Sequence, residues 1–352
     1  MRCLITGGAG FIGSHCAEYY AKQGHEVVVL DNLMRSKIFG SDKESVEYNW
    51  RYLKQYENIK LIKGDVRDVP DICNPSHIES AIGDGVDLCI HTAGQPGVGY
   101  SIKEPMGDFS TNAWGTVNVL DALRKHSDKA TFIYTSTNKV YGENVDRFKI
   151  KEHPSRYSFT SVEGVPETLP IDHTSHTPYG ASKYVGDIYA QEYASTYGMK
   201  TGVFRMSCIY GPRQFGFEDQ GWISHFVIST LLNKGVTIFG DGKQVRDVLY
   251  VDDLIQAFDY FRKSDIKSGV WNIGGGPKNT ISLNELLVLL EHDIGSLPEI
   301  KHDDWRPSDQ KVYISDTQKL WEELLWDSTV SPEEGIRKLI NWTRENLELF
   351  KK

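Results

Sequence analysis

A chain of 352 residues, 39% hydrophobic and 25% charged, has an ordinary globular composition and the length for two domains or one large one. A net charge of -9 argues against non-specific attachment to nucleic acid or an anionic membrane, though not against a small anionic ligand held by local positive charge. Five cysteines without a CxxC pair, no basic-then-apolar leader and no apolar run near the ~18 residues of a membrane span lead us to expect a cytoplasmic protein with reduced thiols.

In chain order, short apolar runs at 2–6, 26–31, 59–64, 86–91, 131–135 and 200–205 alternate with helix-like stretches at 11–23, 106–125 and 178–197. Such alternation predicts a parallel sheet covered on both faces, and the near-continuous apolar character of the runs fits burial from two sides. Two stretches break the rhythm. Residues 36–56 are charged and helix-prone. Residues 146–177 are polar, carry Pro154, Pro166 and Pro170, and are long for a structureless loop, which points to a function.

"CLITGGAGFIGSH" sets Gly7, Gly10 and Gly13 between the first strand and the first helix, with Phe11 and Ile12 in the same turn. A diphosphate reaches that helix N-terminus only where no Cβ stands in the way, which is the reason for glycine there. The second strand ends in Asp31, 18 residues past Gly13, followed by Asn32. A carboxylate at that place accepts both ribose hydroxyls of NAD and repels a 2′-phosphate; the nearby Arg35 keeps NADP open. Asp65 and Val66, closing the third strand, flank the adenine in this reading. Ala93 in "HTAG" lets backbone approach the cofactor. His91 and Asn112 also read as plain core hydrogen-bonding groups.

The expected fold is α/β, a Rossmann-type doubly wound parallel sheet over 1–206 that part of 236–275 completes. A smaller, mostly helical substrate-binding domain over 207–352 is interleaved with it.

"TPYGASKYVGD" places Tyr179 and Lys183 one helical turn apart on one face. An ammonium beneath a phenol, with a cationic nicotinamide nearby, would favour the phenolate and make a general base for a hydroxyl proton. Thr137, at the end of "YTST", supplies a hydroxyl to orient the substrate oxygen. The Tyr-x-x-x-Lys spacing alone is unspecific, since it recurs at Tyr56 and Lys60. The pair at Tyr179 differs because it follows a nucleotide-binding half and a strand ending in Ser-Thr.

Together the glycine turn, Asp31, Thr137, Tyr179 and Lys183 resemble the extended short-chain dehydrogenase/reductase superfamily, in its nucleotide-sugar-modifying branch. That resemblance spans nearly the whole chain. It implies an NAD-dependent enzyme acting on a nucleotide-diphosphate sugar, often assembled as a homodimer or homotetramer. "FGDGKQVRDVLYVDD" and "RPSDQKVYISD" match segments that make Arg246 and Arg306 diphosphate ligands, and Arg213 in "YGPRQ" is a third anionic contact. Planar guanidinium forks suit phosphate oxygens.

Relatives that expel water from the sugar carry Asp-Glu where this chain has Asn138-Lys139. An amide and an ammonium cannot run that elimination as an acid–base pair, so epimerisation or oxidoreduction remains. "STNKVYG" and "YGPRQF…DQGW" most closely resemble the CDP-paratose (CDP-tyvelose) 2-epimerases. On that resemblance Asn138, Lys139 and His176 are sugar contacts. His173 and His176 lack a clear third ligand and are not read as a metal site. Nothing in the residues themselves separates C2 from C4 inversion, a net reductase, or a cofactor-binding protein without turnover.

Overall fold

The computed structural model describes residues 1–36, 43–71, 73–306 and 309–351. Short, largely apolar runs form β1 (Arg2–Thr6), β2 (Glu26–Asp31), β3 (Ile59–Lys63), β4 (Leu88–His91) and β5 (Thr131–Thr137). Val27 to Leu30 are each 0% exposed, so both faces of β2 are covered and no polar alternation is tolerated. A seven-stranded sheet runs in the order Ser268–Ile273, Lys200–Met206, β5, β4, β1, β2, β3. The pairs β1–β2, β2–β3, β1–β4 and β4–β5 are parallel, with Ile5 opposite both Val29 and Ile90. Chain order reverses at β1. A doubly wound sheet opens a crevice at such a reversal, beyond the carboxyl ends of the strands.

Three expected elements differ in detail. The strand expected over 131–135 continues through Ser136 and Thr137, whose hydroxyl-bearing side chains are buried. The helix expected over 106–125 is broken into Pro105–Phe109, a π-helical turn Ser110–Trp114, and Gly115–His126. Ser110 and Thr111 hydroxyls both donate to Gly107 O and the Thr116 hydroxyl to Asn112 O, competing with the regular ladder. Of the helix-prone 36–56, Lys43–Leu53 is helical, and 37–42 lie outside the described residues.

Contacts divide the chain into two compact units. One comprises Met1–Val140, His176–Arg205 and Ile255–Trp271; the other comprises Tyr141–Ser175, Met206–Leu254 and Asn272–Lys352. The expected boundary at 206 is thus crossed in both directions. The polar stretch after β5 groups with the second unit because its hairpin, Ile150–Glu152 with Tyr157–Phe159, is tied there. Tyr157 N donates to Lys243 O (2.9 Å), and the Ser282 hydroxyl donates to Ser155 O (2.8 Å).

In the first unit Leu4, Val28, Phe132, Tyr134, Leu120 and Val203 share one core, and the rings of Phe204, Phe258, Phe261 and Trp271 meet edge to face or tilted. The second unit packs Tyr210, Phe226, Val248, Leu286 and Leu339 around its own centre, with helices such as Leu283–Ile294 and Pro332–Glu345 outweighing short strands. Among the described residues no helix is long and apolar enough to cross a membrane. All five cysteines are free, with Cys3, Cys16 and Cys89 buried.

One charged pair lies inside the first unit. Arg205 Nε and Nη2 donate to Asp187 at 2.9 and 3.1 Å, and Ser136 and Gln191 donate to the same carboxylate at 2.7 Å. Removing the cation would strand a fully buried carboxylate. Arg205→Met should therefore cost about 3–5 kcal/mol in urea unfolding; a loss below 1 kcal/mol would show the pair to be energetically idle.

Candidate active site

At the β1 turn the backbone leaves no room for a side chain. Gly7 has φ +70°, and a Cβ there would stand 2.5 Å from Ala93 N; one on Gly13 would stand 2.4 Å from Gly7 O and 2.6 Å from Thr92 Oγ1. Thr6 lies opposite His91 in register, and Thr92 N donates to Thr6 O, so the ends of β1 and β4 meet at this turn. The helix Phe11–Lys22, α1, begins at Gly10 without a side-chain cap. Its first-turn N–H groups, those of Phe11, Ile12 and Gly13 among them, face a Cβ-free cradle suited to an anion.

Asp31, at the end of β2, accepts from Ala9 N (2.9 Å) and Leu33 N (2.7 Å), which ties the carboxylate to the glycine turn. Burial pushes its carboxyl up, and those backbone bonds oppose the rise. Asn32 Nδ2 donates to Asp65 Oδ2 at 2.9 Å. Asp65 also receives Arg67 Nε and Nη2, at 2.9 and 2.6 Å. Burial alone would push the Asp65 carboxyl up, but the Arg67 and Asn32 hydrogen bonds prevail and hold it at about 2. Val66 packs beside Gly115. Turn, carboxylates and Ala93 thus gather at one end of the sheet, and this set fits a dinucleotide.

Tyr179 and Lys183 sit in the helix Thr177–Tyr197, with Pro178 in its first turn and His176 at its N-cap. That helix meets the end of β5 backbone to backbone, since a Cβ on Gly180 would stand 2.7 Å from Lys139 O. Thr137 Oγ1 donates to Asn138 Oδ1 (3.3 Å) and accepts from Lys139 N (3.2 Å), so Thr137, Asn138, Lys139 and Tyr179 are neighbours. His176 Nδ1 is buried without a hydrogen-bond partner, and its ring stacks on Tyr184 with centroids 6.4 Å apart. Lys183 Nζ lies 4.4 Å from the centroid of the Tyr134 ring, whose hydroxyl donates to Lys183 O at 3.0 Å. A Cβ on Gly94 would stand 3.8 Å from that Nζ.

The protein alone does not lower the phenol. Burial pushes Tyr179 up to about 12, opposed by a Thr137 hydrogen bond and reinforced by the Asp108 charge. Burial pushes Lys183 down to about 7, opposed by Asp108 and Asp187. These are the shifts without the cationic nicotinamide that the expected low phenol includes: the dense packing that aligns the two groups penalises the charged form of each. His91, with Thr6 on Nδ1 (2.7 Å) and Thr116 on Nε2 (3.0 Å), is pushed down to about 3 by burial and the Lys183 charge, and stays neutral.

Arg213, Arg246 and Arg306 belong to the second unit. Arg246 pairs with Asp309 at 2.5 Å, and Arg306 pairs with Glu218 at 3.0 Å while stacking 3.8 Å over Phe239. Arg213 is buried with φ +62°, close enough for its charge to act on Tyr250, and two of its nitrogens are shielded from solvent. Three groups escaped the reading of the residues. Arg67, two positions after Asp65, is the commonest way to clamp a carboxylate. Gln95 and Asp108 meet Asn112 through the π-helical turn, and the spacing of Asp108 four before Asn112 was the available signal.

The model of the NAD dependent epimerase/dehydratase family matches residues 3–274. The chain belongs to that family. Over 97% of this chain and 99% of the relative, it is 37% identical to a CDP-paratose 2-epimerase of Salmonella typhi. Its fold superposes on UDP-glucose 4-epimerase from Thermotoga maritima, solved with UDP-glucose, at a TM-score of 0.81 and 31% identity, covering 99% of this chain and 100% of that one. UDP-glucuronic acid 4-epimerase from Bacillus cereus, solved with UDP-glucuronic acid and NAD, gives 0.81 at 27% identity over 98% and 100%. The cofactor of this family member is NAD, and the Gly7–Gly13 cradle has the Cβ-free room that a dinucleotide diphosphate needs.

The cradle gives a direct test. Gly13→Ala must displace Gly7 O or Thr92 by a repacking worth about 1–3 kcal/mol, or about ten- to hundredfold in NAD affinity. Nucleotide released on denaturing the variant measures it; full retention of NAD would mean that the turn does not contact the cofactor.

Proposed function

We propose that this protein inverts C2 of a CDP-linked sugar of the paratose/tyvelose type, through a transient keto-sugar. What supports this most is the 37% identity, over nearly the full length, with a CDP-paratose 2-epimerase, joined to the amide and ammonium of Asn138-Lys139 directly after Thr137. NAD, when bound, supplies reversible hydride acceptance at the carbinol carbon together with a positive charge. Tyr179 takes the hydroxyl proton as the carbinol is oxidised and returns it on reduction. Lys183, charged, holds the phenolate against the burial that would otherwise keep it neutral. Thr137 fixes the reacting oxygen. Asn138 and Lys139 touch the sugar without offering a carboxylate to expel a hydroxyl, so no hydroxyl is lost. His176, with its unmatched Nδ1, is a further sugar contact. Arg246, Arg306 and Arg213 grip the diphosphate, Arg246 and Arg306 by exchanging Asp309 and Glu218 for phosphate oxygens. Gly7, Gly10, Phe11, Ile12 and Gly13 carry the cofactor diphosphate, Asp31 and Asn32 the ribose, Asp65 and Val66 the adenine, and Ala93 lines the approach.

C4 inversion is the second reading, favoured by the overall match to two 4-epimerases. We also propose a homodimer or homotetramer, on the exposed Met106, Trp114, Ile188 and Tyr189 of the first unit.

Incubating the protein with a panel of CDP- and UDP-sugars, and following isomers by NMR, separates these readings. The expected result is interconversion of CDP-paratose and CDP-tyvelose, with no solvent deuterium at C2 after turnover in D₂O. Inversion at C4 would move the assignment, and solvent deuterium at the inverted carbon would defeat the hydride cycle itself. Lys183→Met should lower turnover strongly at pH 7 and proportionately less at pH 9 and above, because the native amine is already neutral there. A loss independent of pH would make Lys183 a binding group only.

A further inference from the structure

A buried carboxylate that the proposed reaction does not use lies behind the Tyr179–Lys183 pair. Asp108 lies in the short helix Pro105–Phe109, two residues before the π-helical turn begins at Ser110, and is 0% exposed. Its Oδ1 accepts from Gln95 Nε2 (2.8 Å) and Asn112 Nδ2 (3.1 Å), while its Oδ2 is buried without a hydrogen-bond partner. Asn112 Nδ2 also donates to Gln95 O (3.0 Å) and to the Ser182 hydroxyl (3.1 Å), next in the chain to Lys183. The Asn112 amide and the Ser182 hydroxyl therefore link the carboxylate to the helix that carries the amine, and Ser182 also helps to hold the Asp108 carboxyl down.

Two carboxylates face Lys183, and they differ in how they are compensated. Asp187 is spoken for, with Arg205 paired to it at 2.9 Å and with Ser136 and Gln191 on its oxygens. Asp108 makes no direct ion pair among the described residues, and its second oxygen is unmatched. A buried charge without a counter-ion must either bind a proton or find its compensation in the nearest cation. Here the cation whose charge acts on Asp108 is Lys183, which with Asn112 borders Gly94. The other titratable groups around Asp108 are Tyr179 on the same helix as Lys183, Tyr134 of β5, and Tyr100, whose ring lies against Gly107. None of them offers a positive charge, and His91 beyond them is neutral.

We propose that Asp108 is a positioning residue whose buried, otherwise uncompensated charge acts across Asn112 to keep the Lys183 amine protonated. Burial pushes the Asp108 carboxyl up, while its hydrogen bonds and the Lys183 charge pull it back. The two groups thereby stabilise each other's charged forms in a place that penalises both. Asp108 also raises the Tyr179 phenol, so removing its charge moves both members of the pair toward lower pH. The proposal rests on the reading of Tyr179 and Lys183 as the proton-handling pair only for its effect on turnover. The protonation of Lys183 itself is measurable without substrate.

The experiment uses full-length protein carrying ε-¹³C-lysine, with the Lys183 signal identified by its loss in Lys183→Met. Asp108→Asn should lower the titration midpoint of Lys183 by about one pH unit, whereas Asp108→Glu should hold it near the native value. An unmoved midpoint in a folded Asp108→Asn protein would overturn the proposal. If the asparagine variant does not fold, Asp108→Ser provides the same charge removal with a smaller side chain. In turnover of CDP-tyvelose, the alkaline limb of Asp108→Asn should shift to lower pH by a similar amount with KM little changed. A purely structural role would lower the amplitude without moving the limb. In a Lys183→Met background Asp108→Asn should add no further loss. Lys183→Met retaining full turnover would defeat the catalytic reading while leaving the titration result to stand or fall by itself.

Discussion

The site hangs on one steric constraint, the contact between the turn after β1 and the end of β4. Gly7 and Gly13 approach Thr92 and Ala93 so closely that a methyl group at either position has nowhere to go. That contact is possible because β1 and β4 are parallel neighbours in register, Thr6 opposite His91, and it is useful because chain order reverses there. The neutral His91, held between Thr6 and Thr116, is part of the same junction. Its imidazole spends both nitrogens on strand and helix hydroxyls and has none left for chemistry.

A second theme is what burial does to charge. The helix Thr177–Tyr197 brings a phenol and an amine into dense surroundings, and that burial raises one and lowers the other, the opposite of what base catalysis needs at neutral pH. The site answers with carboxylates. Asp187 carries its own arginine; among the described residues Asp108 has none. Buried carboxylates of equal net charge thus have different reach, because an ion pair at 2.9 Å cancels most of its own field whereas a carboxylate with one unmatched oxygen keeps it.

Much of this was legible in the residues. The strand–glycine turn–helix frame, Asp31 at the end of β2, and the pairing of Tyr179 with Lys183 are local patterns whose spacing carries their geometry. The sheet and its parallel pairing followed from the alternation of apolar runs with helical stretches. What did not follow depends on contacts between distant segments. The break at Ser110–Trp114 comes from hydroxyls bonding back to Gly107 and Asn112, which propensity alone reads as uninterrupted helix. The grouping of 141–175 with the second unit depends on Tyr157 and Ser155 reaching Lys243 and Ser282, far along the chain.

The order of strands in the large sheet has a consequence for how the chain is made. The outermost strand, Ser268–Ile273, is the last of the seven to leave the ribosome, and it covers the edge of Lys200–Met206. Until synthesis passes residue 273 that neighbour presents an open row of backbone donors and acceptors, an edge able to recruit another nascent chain. Its buried aromatic partner Trp271 arrives on the same late strand, so Phe204 and Phe261 wait for it with their faces uncovered. A chain stopped shortly before that strand would hold every glycine of the cofactor cradle and still be a hazard to its neighbours.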